Sequence, residues 1–191
     1  MKHPFNPELI NNSTNIIIGT LPPEGIDYYY SNSSKTRMWD ILRSIQEKLD
    51  YVPKNSYKLS IENKKLILNK LNLSMTDIIY EYERKNDTVK DIDIIPIKYN
   101  DIQNIVKETT IENYFFVYQS SLQWFLHSLT DEKPLMLNKL NKLKNVKYGK
   151  TLSIVVDSRT INCYLLPYPL NRGKKGETLE FKRNIYSKYL L

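Results

Sequence analysis

The chain has 191 residues, enough for one domain that buries its own core, and its single cysteine, Cys163, excludes an internal disulfide framework and an iron–sulfur cluster. Its two histidines, His3 and His127, stand too far apart to suggest a metal site, and no uncharged run reaches the length that spans a bilayer. A net charge of +7 makes a polyanion a natural partner, and the lone thiol suits a reducing, cytoplasmic setting.

Without repeats, low-complexity segments or glycine-rich linkers, residues 1–191 read as a single, monomeric domain. The N-terminus, M-K-H-P-F-N-P-E-L-I, lacks the apolar core of a signal peptide. The first strand is expected at Asn15–Gly19, a run of isoleucines that breaks at a glycine. Residues 35–49 read as a helix with Met38, Ile41, Leu42, Ile45 and Leu49 on one face. Ser60 suits an N-cap, followed by a helix to Leu71 with the stripe Ile61, Leu66, Ile67, Leu71. A second strand is expected over 73–80, then a charged loop over 81–93. Asn100 or Asp101 caps a helix to Lys107, and the aromatic run 114–118 reads as a central third strand. Ser120 or Ser121 opens a helix ending near Leu129, in whose apolar pattern His127 reads as a packed residue.

A lysine-rich helix is expected over 134–144. The β-branched runs 151–156 and 161–166, separated by D-S-R-T, suit a hairpin. Thr178 caps a last helix, Leu179–Leu190. Strands alternating with helices argue for a mainly parallel sheet with helices on both faces, plus an antiparallel edge strand. Two runs concentrate the positive charge. Residues 133–150 hold six lysines and no carboxylate, and residues 172–188 hold six further cations against Glu177 and Glu180.

Two loops, 19–30 and 167–176, leave the C-terminal ends of apolar strands, so in a parallel sheet they face one another across a crevice. The first offers backbone amides at Gly19 and Gly25, a fixed path at Pro22 and Pro23, and the aromatic faces of Tyr28, Tyr29 and Tyr30. Such faces stack bases, and the carboxamide of Asn32 can read a base edge or hold a water. The second is stiff at Pro167 and Pro169, apolar at Leu170, and cationic at Arg172, Lys174 and Lys175 beside Asn171. A rigid loop with an apolar wedge beside cations suits prying into a stacked duplex while holding its phosphates. G-T-L-P-P-E-G lacks the lysine and glycine spacing of a phosphate loop, no serine sits in a nucleophile elbow, and Cys163 lies mid-strand as a core residue. Glu24, Asp27 and Asp77 are the carboxylates placed near the crevice, each a general-base candidate, although such residues more often serve turns or caps.

The ordered set G-T-L-P-P, Y-Y-x-N and M-W-D-I-L early, L-N-L-S-M-T-D-I-I-Y in the middle, Y-F-F-V-Y-Q-S-S next and L-L-P-Y-P-L-N-R-G late resembles the uracil-DNA glycosylase superfamily, most closely its hypoxanthine-DNA glycosylase-like branch. The resemblance implies an α/β fold, a three-layer α/β/α sandwich with a central, mainly parallel four-stranded sheet, and a monofunctional DNA glycosylase. Such an enzyme flips a deaminated or modified base out of DNA and hydrolyses its N-glycosidic bond with water, without metal or cofactor, leaving an abasic site. It places Gly19, Thr20, Leu21 and Pro22 in the water-activating and base-contacting loop, Tyr30 beside the flipped base, and Asn32 in a catalytic role. Tyr118 and Gln119 fall at the base-stacking and base-reading position. Pro167, Tyr168, Pro169, Leu170, Asn171 and Arg172 match the minor-groove loop, with Lys174 and Lys175 just beyond.

The chain departs from that pattern in three places. Lys35, Thr36 and Arg37, with one extra residue, replace a second asparagine before Met38 and Trp39. V-Y-Q stands where the branch has F-N-G, and Tyr168 and Leu170 replace small serines, with no histidine nearby. A catalytically inactive DNA-binding module of the same fold, and a small nucleoside- or nucleotide-acting α/β enzyme, therefore stay open beside the glycosylase.

Overall fold

A computed structural model of the chain describes residues 1–23, 25–31, 36–85, 93–107, 109–129, 148–156, 158–170 and 177–191. At its centre is a five-stranded sheet built from β1 (Asn15–Gly19), β2 (Leu73–Asp77), β5 (Asn113–Phe116), β6 (Gly149–Val156) and β7 (Arg159–Leu165), in the order β2-β1-β5-β7-β6. Four strands run parallel; β6 pairs antiparallel with β7 at one edge. The expected architecture, a parallel four-stranded core with an antiparallel edge, is the one observed.

Alternation along each strand divides the core in two. Ile16, Ile18, Tyr114, Phe116, Cys163 and Leu165 point to one face, where they meet α3 (Ile102–Val106), α4 (Gln119–Ser128) and the separate hairpin β3 (Ile79–Arg84)–β4 (Ile94–Tyr99). Ile17, Phe115 and Tyr164 point to the other, against α1 (Met38–Gln46), α2 (Ile61–Lys70) and α5 (Leu179–Leu190). Because successive strand residues face opposite ways, a strand covered on both faces must be apolar throughout, and Ile16, Ile17 and Ile18 are all fully buried. Burying each isoleucine contributes about 1.5–3 kcal/mol.

Caps fall largely where the sequence places them. Ser60, Asp101 and Thr178 accept from the backbone N–H three residues on, at 3.2, 3.0 and 3.1 Å. Four expectations need correction. The run 73–80 is two strands: the chain leaves the sheet at Ile78, and β3 pairs with β4 through residues read as loop. Helix α1 starts at Met38, because Thr36 bridges to Leu170 instead of turning into the helix. Tyr118 is not in the third strand; it is the N-cap residue of α4, which begins at Gln119, earlier than either serine. His127 is exposed on α4 rather than packed. The lysine-rich helix expected over 134–144 lies outside the described residues. Among the described residues no helix is long and apolar enough to cross a membrane.

The N-terminal segment, silent in the sequence reading, runs antiparallel along the free edge of β2. Glu8 and Met75 exchange backbone hydrogen bonds at 2.8 and 2.9 Å, and the His3 N–H donates to the Tyr80 carbonyl at 2.7 Å. An edge strand is thereby covered, which removes a site for unwanted pairing.

Candidate active site at the carboxyl edge of the sheet

The first wall of the crevice leaves β1 at Gly19, whose register partner is Asp77 at the end of β2. A Cβ at Gly19 would overlap both an Asp77 carboxylate oxygen and the Tyr30 hydroxyl, so glycine is required by close approach. Thr20 and Pro22 are buried and Leu21 is half-buried. Of the three tyrosines, two turn inward, contrary to their reading as stacking faces. Tyr28 donates to Glu8 Oε2 at 2.9 Å and stacks on Trp39; Tyr29 donates to the Asn6 carbonyl at 3.0 Å. The Trp39 indole N–H donates to the Tyr29 carbonyl at 2.7 Å, fixing the loop from α1. Tyr30 follows with φ of +51°, a left-handed backbone that aromatic residues seldom adopt, and such strain gathers at functional sites. Lys64 of α2, 2% exposed, donates to Ser31 Oγ at 2.8 Å.

The second wall leaves β7 through Pro167, Tyr168, Pro169 and Leu170. Its two prolines lack N–H groups, so its carbonyls are its main backbone handles. Each of three finds a donor: Pro167 the Tyr186 hydroxyl at 3.0 Å, Pro169 the Arg37 backbone N–H, and Leu170 the buried ammonium of Lys182 at 2.8 Å. Burial lowers the pKa of both Lys64 and Lys182, against the raising pull of Asp27 and Glu177 respectively.

The walls are joined. Thr36 and Leu170 form an antiparallel bridge, and Tyr118, entering α4, lies against Tyr168 with ring centroids 5.0 Å apart. Tyr168 is the more exposed of the loop's described side chains, at 39%, while Leu170 is half-buried. Arg37 turns inward to pair with Asp40 and donates to the Pro53 carbonyl at 2.9 Å, which makes it a structural brace.

Beneath the first wall sits a pair that sequence reasoning missed. His3 Nε2 lies 3.0 Å from Asp77 Oδ2, with the two side chains 1% and 5% exposed. His3 Nδ1 lies 2.8 Å from the Phe5 carbonyl and 3.1 Å from its N–H. The Tyr30 hydroxyl, buried and without a hydrogen-bond partner, shares with an oxygen of the same carboxylate the space that a Cβ on Gly19 would fill. Burial chiefly, then the charge of Asp77, holds the Tyr30 pKa well above its ordinary value. The available signal was the H-P-F-N-P segment, whose extended, proline-rich character suits an edge-covering strand.

Gly19, Thr20, Leu21, Pro22, Tyr30, Tyr118, Gln119, Pro167, Tyr168, Pro169 and Leu170 thus stand at one edge of the sheet, with Gln119 half-buried as the first residue of α4. Asn32, Asn171, Arg172, Lys174 and Lys175 lie outside the described residues. Of the other cations in the run 172–188, Lys182 and Arg183 turn inward; Arg183 donates to Ser44 Oγ at 3.0 Å and to the Leu49 carbonyl. Cys163 is buried in the core, its thiol pushed up to about 12 by burial. Among the described residues no group of three or more His, Cys, Asp or Glu is placed to hold a metal ion. A cleft of about 350 Å³ lined by Tyr99, Asn100, Gln103, Phe125 and Ser128 contains none of the candidate residues.

No protein-family model matches the chain, and no curated protein matches it. Among solved structures, that of a putative uracil DNA glycosylase from Methanosarcina acetivorans matches with a TM-score of 0.62 at 16% sequence identity. The match covers 99% of this chain and 98% of that one. What the two share at this identity is the fold.

Proposed function

We propose that the protein is a monofunctional DNA glycosylase acting on a deaminated or modified base. The observation that carries this reading is the joined crevice: two loops from parallel strands, bridged at Thr36 and Leu170 and flanked by Tyr30, Tyr118 and Tyr168, on a fold shared with the Methanosarcina protein. A base taken out of the stack needs aromatic faces to receive it and a stiff loop to occupy its place. In this reading Leu170 and Tyr168 enter the duplex, Arg172, Lys174 and Lys175 hold phosphates, and the base stacks against Tyr30 or Tyr118. Asn32 positions a water under the anomeric carbon, and amides of the first loop stabilise charge on the leaving base.

The test incubates the protein with duplexes that each carry uracil, hypoxanthine, xanthine or a bulky modified cytosine, and scores alkali-labile abasic sites. At least one duplex is expected to be cut. Asn32→Ala should lower the rate on that duplex by about 10² to 10⁴; full excision by this variant on every substrate would remove Asn32 from the mechanism. The inward turn of Arg37 favours a second reading, a DNA-binding module without chemistry. That reading predicts salt-dependent duplex binding and no abasic sites.

A further inference from the structure

A water that attacks C1′ must shed a proton as its oxygen bonds, and neither a carboxamide nor a backbone carbonyl can take that proton up near neutral pH. A proton acceptor in the crevice, which Asn32 does not supply, would hold that proton until the departing base takes it. Among the described residues, Asp77 is the buried carboxylate at the sheet edge beneath the first loop. Its Oδ2 is engaged by His3 Nε2 at 3.0 Å. With Nε2 donating, His3 Nδ1 either accepts from the Phe5 N–H as a neutral ring or donates to the Phe5 carbonyl as an imidazolium. In both states Oδ2 receives a hydrogen bond and Oδ1 is the oxygen left facing Gly19 and Tyr30. Over the same face of that glycine, where a Cβ would sit, stands the Tyr30 hydroxyl, buried and unpartnered, on a residue held in the left-handed backbone region. A buried polar atom without a partner carries a desolvation cost that a folded protein seldom keeps without use.

Resting on the glycosylase reading above, we propose that His3, Asp77 and Tyr30 form one proton-handling unit, in which Tyr30 meets the substrate water while Asp77 and His3 act through it. As the water oxygen bonds to C1′ and the C1′–N bond breaks, the electron pair leaves with the base. With the Tyr30 hydroxyl turned to donate to Asp77 Oδ1, a hydrogen bond that the free protein does not make, the water proton passes to the Tyr30 oxygen and the phenol proton of Tyr30 to Asp77 Oδ1. The site ends with a neutral carboxyl and a base anion, so charge balances, and the proton returns to the base or to solvent. Tyr30 is the catalytic residue of the unit; Asp77 and His3 are positioning residues.

The experiment measures single-turnover excision and duplex affinity for wild type, Asp77→Asn, Tyr30→Phe, their double variant, and His3→Gln, which keeps a donor to Oδ2. Asp77→Asn and Tyr30→Phe are each expected to slow excision by about 10² to 10⁴, with affinity changed less than about threefold. The double variant should be no slower than the slower single, because the groups act in series. His3→Gln should retain excision within about tenfold of wild type. Tyr30→Phe removes only an unpartnered hydroxyl, so its melting temperature should not fall, and it carries the test should Asp77→Asn not fold. Wild-type rates in Tyr30→Phe, or losses that multiply in the double variant, overturn the unit while leaving the glycosylase reading intact. A wild-type protein that makes no abasic sites on any duplex overturns both.

Discussion

The two walls of the crevice are held by opposite means. The first is pinned mainly by its own side chains and those beside it: Tyr28 on Glu8, Tyr29 on Asn6, Trp39 on the Tyr29 carbonyl and Lys64 on Ser31. The second is pinned by its carbonyls, which accept from Tyr186, Arg37 and Lys182 while the Tyr168 side chain stays exposed. A wall fixed by inward-facing aromatics gives a shaped pocket, whereas a wall fixed through its backbone leaves its side chains for a partner. That division suits a loop that receives a base and a loop that enters a duplex.

Alkali should separate the walls most strongly. Burial raises the pKa of Tyr28, Tyr29 and Tyr30 in the first wall, and of Tyr186 alone among the anchors of the second. A folded-state pKa above the unfolded value contributes stability that is complete below about pH 10 and is lost as pH climbs from there towards the folded value. Lys64 and Lys182, lowered by burial, work in the opposite sense, adding stability as pH rises until about 10.4, where the unfolded lysines also lose their protons. Above that point the tyrosines act alone. Their phenolate absorbance should rise together with unfolding seen by circular dichroism, and hydrogen exchange should show the first wall opening before the second. Smooth titration of all tyrosines near pH 10 with the fold intact would contradict this.

Lys182→Met should break the second wall. The ammonium is fully buried and its loss leaves the Leu170 carbonyl without this donor, a cost of about 1–3 kcal/mol. Chemical denaturation should report that drop, and the Arg37 amide bonded to Pro169 should exchange faster while amides of the first wall hold. Equal loosening of both walls would mean that they are not separately anchored.

The strand–loop–helix order, the parallel sheet and the meeting of the two loops were readable because each rests on local pattern: apolar runs, prolines, glycines and caps. The anchors were not, because they come from residues distant in sequence whose type points the other way. Lys182 and Arg183 belong to the cationic run 172–188, yet both face inward. His3 lies 74 residues from its partner Asp77, and only the edge-covering path of the N-terminal segment brings them together. Similarly, Tyr28 and Tyr29 carry the same chemistry as Tyr30 in sequence; which one reaches the crevice depends on the left-handed turn at Tyr30. The run 73–80 reads as one strand because nothing in its apolar pattern marks the departure at Ile78.

Helix α2 offers the smallest and sharpest comparison. The sequence pattern runs its apolar stripe through Leu66, but Leu66 is 50% exposed while Lys64 is 2% exposed. The helix is rotated so that a lysine, not a leucine, faces the first wall, and the Ser31 hydroxyl is what that lysine meets. Lys64→Met should cost about 1 kcal/mol, since the apolar stem is kept and only one hydrogen bond to a half-buried serine is lost. Leu66→Ala should change stability by less than about 0.5 kcal/mol, as surface substitutions do. A core leucine would cost about 2–5 kcal/mol, so denaturation of this one variant separates the two orientations of the helix. A loss in that higher range would return Leu66 to the core and take Lys64 away from the wall it is seen to brace.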